Sequence, residues 1–143
     1  MPKPYASAVL PVSADRIWEY LRDFANIADW HPGLVSGEME EGAGDRVGGV
    51  RRLTGTGGEL FRERLVALDD GERSYTYDLL EGPFPVRSYR STLRVTPVTD
   101  SGLAFAEWYA QFDADEADEA RLMKTFSRGI FATGLGALAE RFS

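Results

Sequence analysis

Apolar and polar residues change period several times along the chain. Residues 5–12 alternate, with Pro11 near the end, and predict a first strand. The spacing then lengthens. Ser13 is a good N-cap, and Ile17, Trp18 and Leu21 supply a helical apolar stripe. Residues 23–30 predict a second short helix, with Phe24 and Ile27 inward and His31-Pro32-Gly33 as its stop. From Leu34 onward the pattern is strand and turn. One strand is expected from Leu34 to the turn at Gly42-Ala43-Gly44-Asp45, and five more over residues 47–53, 60–68, 73–80, 88–96 and 103–112. Their breaks are Gly55-Thr56-Gly57-Gly58, Asp69-Asp70-Gly71, a loop around Gly82-Pro83-Phe84-Pro85, and Asp100-Ser101-Gly102. Successive hairpins make an antiparallel meander. Residues 116–141 close the chain as a helix with Leu122, Phe126, Ile130 and Leu138 on one stripe. The order is therefore strand, two short helices, six strands, long helix, in one α+β domain spanning residues 1–143. The long helix must bury its stripe, and the concave face of the sheet is the large apolar partner available. Gly129, Gly134 and Gly136 all fall in that helix, where each costs about 1 kcal/mol against alanine. Close packing, room for a ligand, or a kink would each account for them.

Strand alternation sorts side chains into two faces. Arg62 and Arg64 mark an outer face, leaving Phe61, Glu63 and Leu65 inside. Arg90, Thr92 and Arg94 mark another, leaving Tyr89, Ser91 and Leu93 inside. Tyr75 and Tyr77 join them, and in the last strand Phe105, Glu107 and Tyr109 are expected inside, with Trp108 outside. The helix adds Phe126 and Ile130. Apolar walls with a few polar groups suit a small-molecule pocket. Arg51 and Arg52 are adjacent, so only one of them can reach the interior, and a glycine-rich strand leaves open which.

Composition narrows the function. The 143 residues, 43% hydrophobic and 27% charged, suit one globular core. No apolar run approaches the roughly 20 residues of a membrane span. Met1-Pro2-Lys3-Pro4 lacks an apolar signal segment, so a cytoplasmic location is expected. With no cysteine and a single histidine, disulfides, thiolate catalysis and a metal site are not expected. No phosphate-binding loop precedes a helix, and no nucleophile triad is supported, so no cofactor is expected. A net charge of −7 disfavours nucleic acid and anionic membrane surfaces as partners. The acidic cluster at residues 113–119 reads as a solvated helix start.

Three local features carry a family resemblance. They are Trp30-His31-Pro32-Gly33 after the short helices, Gly44-Asp45-Arg46-Val47-Gly48-Gly49-Val50-Arg51, and Glu63-Arg64-Leu65 followed by Leu68-Asp69-Asp70. With the order of elements, they resemble the Bet v 1-like or START-like (SRPBCC) superfamily, and within it the polyketide cyclase/dehydrase branch. The resemblance implies a helix-grip fold, a curved antiparallel sheet wrapped around the C-terminal helix, with a ligand cavity between them. The chain also resembles the plant abscisic acid receptors. Glu63, Tyr77, Tyr89, Ser91 and Glu107 fall where those receptors place pocket residues, and His31 falls where they place a lysine that meets the ligand carboxylate. Their two gate segments are replaced here by Gly55-Thr56-Gly57-Gly58 and Pro83-Phe84-Pro85, which departs from hormone gating.

Glu63, Glu107, Tyr89 and His31 are thus the candidate acid–base groups, with Trp30, Phe61, Tyr77, Ser91, Phe105, Tyr109, Phe126 and Ile130 as ligand contacts. A buried carboxylate is costly unless paired, and burial raises its pKa toward neutrality, where it can serve as acid or base. A structural ion pair, a packed loop histidine and core tyrosines with satisfied hydroxyls are the alternative roles. Two functions follow: a cofactor-free cyclase or dehydratase acting on a polyketide-like molecule, or a non-catalytic carrier or sensor of a small hydrophobic one. A homodimer through Trp108 or Pro83-Phe84-Pro85 is a further expectation.

Overall fold

The computed structural model describes residues 2–143. Strand β1 (Tyr5–Ser13) leads into helix α1 (Ala14–Leu21), a 3₁₀ turn (Phe24–Asn26) and helix α2 (Ile27–Trp30). Six strands follow: β2 (Leu34–Glu41), β3 (Val50–Gly55), β4 (Leu60–Asp69), β5 (Ser74–Glu81), β6 (Val86–Pro97) and β7 (Leu103–Ala114). The C-terminal helix runs as α3 (Glu116–Lys124), a π-helical stretch (Thr125–Ala132) and α4 (Thr133–Arg141). All strand pairs are antiparallel, in the order β1-β7-β6-β5-β4-β3-β2. This is the expected curved sheet gripping the long helix. None of the described helices is long and apolar enough to cross a membrane.

Local chemistry explains the joins. Ser13 caps α1 by accepting from the Arg16 amide at 3.2 Å. The inner stripe of α1 (Ile17, Trp18, Leu21) is buried. Asp70, in the β4–β5 turn, holds α1 from the side: it accepts from Trp18 Nε1 at 2.9 Å and forms a two-toothed pair with Arg22 at 3.0 Å. The second predicted helix splits into the 3₁₀ turn and the single turn of α2. Asp23 caps the 3₁₀ turn through the Ala25 amide, and the Phe24 amide donates to Gly44 O. The third strand starts at Val50 rather than at residue 47, because Gly48 takes a φ of +95° that bends the chain before pairing settles.

One strand face is reversed from expectation. On β7 the buried residues are Ala104, Ala106, Trp108, Ala110 and Phe112. Phe105, Glu107 and Tyr109 point outward, because directly opposed residues share a face and the buried Leu93 and Ser91 of β6 lie opposite Trp108 and Ala110. The outward set forms a surface cluster with β1: Tyr5 stacks on Tyr109 at 6.2 Å, and its hydroxyl donates to Glu107 at 2.6 Å. Trp108 is 1% exposed, which removes it as a dimer contact. At the far end of the sheet, β2 is an edge strand with Glu38, Glu40 and Glu41 exposed.

The helix glycines divide. A Cβ at Gly134 would lie 2.7 Å from His31 Cδ2 and 2.8 Å from Trp108 Cζ3, whereas one at Gly136 would meet nothing within 4 Å. Gly134 is a close approach between helix and sheet. Gly134→Ala is expected to cost about 1–3 kcal/mol by overpacking. Gly136→Ala should instead stabilise by up to about 1 kcal/mol through helix propensity. Urea midpoints of the two variants check this, and equal shifts would contradict the close-packing assignment.

Candidate functional site

A cavity of about 290 Å³ lies between the sheet and the C-terminal helix. Its walls are mainly apolar: Ile27, Leu34, Leu53, Phe61, Leu79, Phe84 and Ile130, with the aromatic faces of Tyr77, Tyr89 and Trp108. Gly33, Thr56, Glu59 and Gly129 also line it and are exposed, so they form its mouth. Gly129 sits in the π-helical stretch, and a Cβ there would meet nothing within 4 Å. It leaves open space at the rim. The added residue of a π stretch often marks a functional position, and here it brings Thr125, Gly129 and Ile130 to the cavity.

The polar centre is Glu63. On β4 it stands opposite Arg51 of β3, so Arg51 is the arginine that turns inward and Arg52 faces out. Arg51 is 0% exposed. Its Nε and Nη2 both lie 2.8 Å from Glu63 Oε1, and its Nη1 donates to Phe24 O at 2.9 Å. The guanidinium also rests 3.8 Å over the Phe24 ring and 4.7 Å from that of Tyr77. Nε donates to Oε1, Nη2 adds its charge at the same oxygen without a hydrogen bond, and Oε2 has no protein donor among the described residues; Glu63 lines the cavity. Burial pushes the Glu63 carboxyl above its ordinary value, against the opposing pull of Arg51. Arg51 stays cationic, its charge held by Glu63 despite complete burial.

Two tyrosines stand beside this carboxylate. Trp108 Nε1 divides its proton between Tyr77 OH at 3.2 Å and Ser91 Oγ at 3.0 Å, and Ser91 donates to Tyr109 O at 2.9 Å. The Tyr77 hydroxyl, already an acceptor, keeps its own proton free to donate. Burial raises Tyr77, and it raises Tyr89 well above its ordinary value, with the nearby Tyr77 and Glu63 adding to the shift at Tyr89. Both therefore remain protonated donors at neutral pH.

Of the residues expected from the sequence, Glu63, Tyr89, His31, Phe61, Tyr77 and Ile130 line the cavity. Trp30, Ser91 and Phe126 are buried behind its walls. Phe126 packs at 4.9 Å on both Phe84 and Tyr89, and Trp30 packs at 5.6 Å on Trp108. Phe105, Glu107 and Tyr109 lie on the outer face, so Glu107 is not a cavity acid. His31 is corrected too. Its Nδ1 accepts from the Gly33 amide at 3.0 Å, which puts the ring proton on Nε2, 2.8 Å from Ile130 O. Both nitrogens serve the backbone, so neither is free to meet a ligand. Sequence reasoning missed Trp108, Leu53, Leu79 and Phe84 as walls.

His31 gives an expected pH dependence. Burial is the largest influence and lowers its pKa; the Ile130 bond opposes this, and the Arg51 charge lowers it further. The unfolded chain then takes up the proton first, near pH 6.5. The stability contributed by neutral His31 is complete above that pH and is lost as pH falls toward the folded value. His31→Gln should flatten this part of the profile of urea midpoint against pH, and an unchanged slope would contradict the assignment.

The sequence matches, over residues 1–143, the family model described as polyketide cyclase / dehydrase and lipid transport. The chain belongs to this family. Similar solved structures include XoxI of Bacillus cereus, 33% identical with a TM-score of 0.89, covering 99% of this chain and 96% of that one. A Thermobifida fusca protein solved by NMR is 30% identical with a TM-score of 0.90, covering 99% and 93%. The Panax ginseng major latex-like protein 151, 15% identical with a TM-score of 0.76 over 99% and 97% of the two chains, shares the Bet v 1-like fold. In this polyketide cyclase / dehydrase family member the cavity thus sits in the grip of a shared scaffold, and the side chains lining it distinguish its chemistry.

Proposed function

We propose that this protein binds a compact, largely apolar, polyketide-like molecule in its cavity and catalyses cyclisation or dehydration of it by acid–base chemistry. The observation that carries this reading is the position of Glu63: one oxygen is tied by Arg51, the other has no protein donor among the described residues, and the residue lines an apolar, aromatic cavity. At about 290 Å³ the cavity is at the small end for organic ligands, which suits one or two fused rings better than a long lipid.

The chemistry runs through few groups. Glu63 carboxylate takes a proton from the carbon beside a ligand carbonyl, while Tyr89, with Tyr77, donates a hydrogen bond to the carbonyl oxygen as negative charge develops there. The resulting enolate carbon attacks a second carbonyl of the same molecule, forming the ring bond, and that carbonyl oxygen becomes a hydroxyl. Glu63, now protonated, supplies the proton that completes this hydroxyl; as a carboxylate again it removes a second proton from the attacking carbon and delivers it to the hydroxyl, which leaves as water. No cofactor enters these steps. The protein would act in the cytoplasm.

A carrier role is the second reading. With Glu107 and His31 outside the reacting set, Glu63 is the one buried carboxylate at the cavity among the described residues, and it is already engaged by Arg51. The two readings separate in one experiment. The protein is isolated from its own host, its ligand is identified by native mass spectrometry, and that ligand is returned to fresh protein. Conversion to a new mass or isomer supports catalysis; recovery unchanged by wild type and by Glu63→Gln alike supports the carrier.

A further inference from the structure

The charges around the cavity are one-sided. Its lining contains two carboxylates, Glu63 inside and Glu59 at the mouth, and no lysine or arginine. Glu59 Oε1 accepts from the Gly57 amide, which holds that carboxylate at the rim. The cation next to Glu63, Arg51, is 0% exposed and sealed behind that carboxylate; it donates to Glu63 Oε1 and Phe24 O, while its Nη2 lies 2.8 Å from Glu63 Oε1 without making a hydrogen bond. His31 also lines the wall, as a neutral ring bonded to the backbone on both sides. What remains for a ligand is an acceptor, Glu63 Oε2, beside hydroxyl donors on the two tyrosines, with the hydroxyl-bearing Thr56 and Thr125 also in the lining.

We infer that the cavity selects an uncharged ligand whose hydroxyl donates a hydrogen bond to Glu63 while an oxygen, the same or a neighbouring one, accepts from the tyrosines, such as a phenol, enol or hydroxy-ketone, and rejects carboxylates, fatty acids included. This rests on the proposed role of the cavity as the ligand site. A carboxylate brought inside loses its water and meets another carboxylate oxygen, with no cation in the lining to offset either. Neutral tyrosine hydroxyls solvate a carbonyl oxygen well, but they do not replace a counter-charge. A phenol or enol instead donates to Glu63 Oε2 and satisfies it. The chain's net charge of −7 acts in the same direction, since it lowers the local concentration of anions.

The test uses two probes with the same ring body, 2-naphthol and 2-naphthoate, titrated calorimetrically into wild type at pH 7. The naphthol is expected to bind at least tenfold more tightly. Glu63→Gln, which leaves Arg51 uncompensated, should reverse the order. The Arg51→Met/Glu63→Gln double variant, with no charge at the site, should narrow the preference severalfold and serves if the single variant fails to fold. Naphthoate binding as tightly as naphthol to wild type overturns the inference, as does a preference unchanged in the double variant. Binding of neither probe overturns it as well, because naphthol meets each stated requirement. The probes need no reaction, so a protein that prefers naphthol yet leaves its natural ligand unchanged keeps this selectivity and loses only the catalytic reading.

Discussion

Glu63→Gln is expected to fail on two separate readouts. Turnover of the natural ligand should drop by about 10²–10⁴-fold, the usual size of a general acid–base contribution. Folding stability should drop by about 3–5 kcal/mol, because Arg51 is left buried with its charge unpaired. Arginine has no escape from this, since its guanidinium does not release a proton in the accessible pH range. The two losses are separated by the Arg51→Met/Glu63→Gln double variant. Removing both charges together leaves no orphaned ion, so most of the stability should return while turnover stays absent. Denaturant midpoints report the first quantity and product formation over a single turnover the second. A Glu63→Gln protein that converts ligand at the wild-type rate would end the acid–base role of this residue.

Arg51→Met is expected to behave differently, because a carboxyl group can neutralise itself. Burial already drives Glu63 upward, and Arg51 opposes that drive. Without the guanidinium the folded-state pKa rises further above the unfolded value of about 4.3. For such a group stability is complete below the unfolded pKa and is lost as pH rises through the folded one. The deficit of Arg51→Met relative to wild type should therefore be small near pH 5 and grow to about 3 kcal/mol by pH 8. A smaller part, about 1 kcal/mol, is independent of pH and reflects the Phe24 carbonyl losing its donor. Equilibrium unfolding from pH 5 to 8 tests the slope. A deficit that shrinks as pH rises would mean that the Glu63 carboxylate is not desolvated. The same variant should move its activity to higher pH, where the carboxylate is present to act as base.

The expected order of elements appears in the structure because punctuation in this chain is strong: Ser13, Asp69-Asp70-Gly71 and Asp100-Ser101-Gly102 each stop or start an element for a local reason. Faces were legible wherever an arginine row marked the solvent side, as on β4 and β6. On β7 no such row exists. Both faces are largely uncharged, and ranking them by side-chain size favours Phe105 and Tyr109 over a face rich in alanine. The signal that corrects this is pairing rather than composition. With Pro97 opposite Ala104 across the turn, counting outward brings Leu93 opposite Trp108. The Arg51–Glu63 pair was hidden for a related reason. It depends on the β3–β4 register and on how the chain enters β3 after Gly48, whose positive φ has no periodic signature. His31 stood at a position suggesting chemistry, and only the opposed backbone partners, one of them 99 residues away, show its ring to be a fastening.

The exposed glutamates of β2 bear on how copies of this chain meet. An unpaired strand edge is an invitation to add another strand, the first step toward sheet-continuous dimers and fibrils. Two β2 edges brought together antiparallel would crowd Glu38, Glu40 and Glu41 against their symmetry mates, like charge against like charge. Two of them are partly offset: Arg62 grips Glu40 with two donors at 2.8 and 2.9 Å, and Glu38 stands opposite Arg52 of β3. At low ionic strength this rim keeps the open end of the sheet from growing. Any self-association along it should strengthen with added salt and with acid, the two conditions that silence carboxylates.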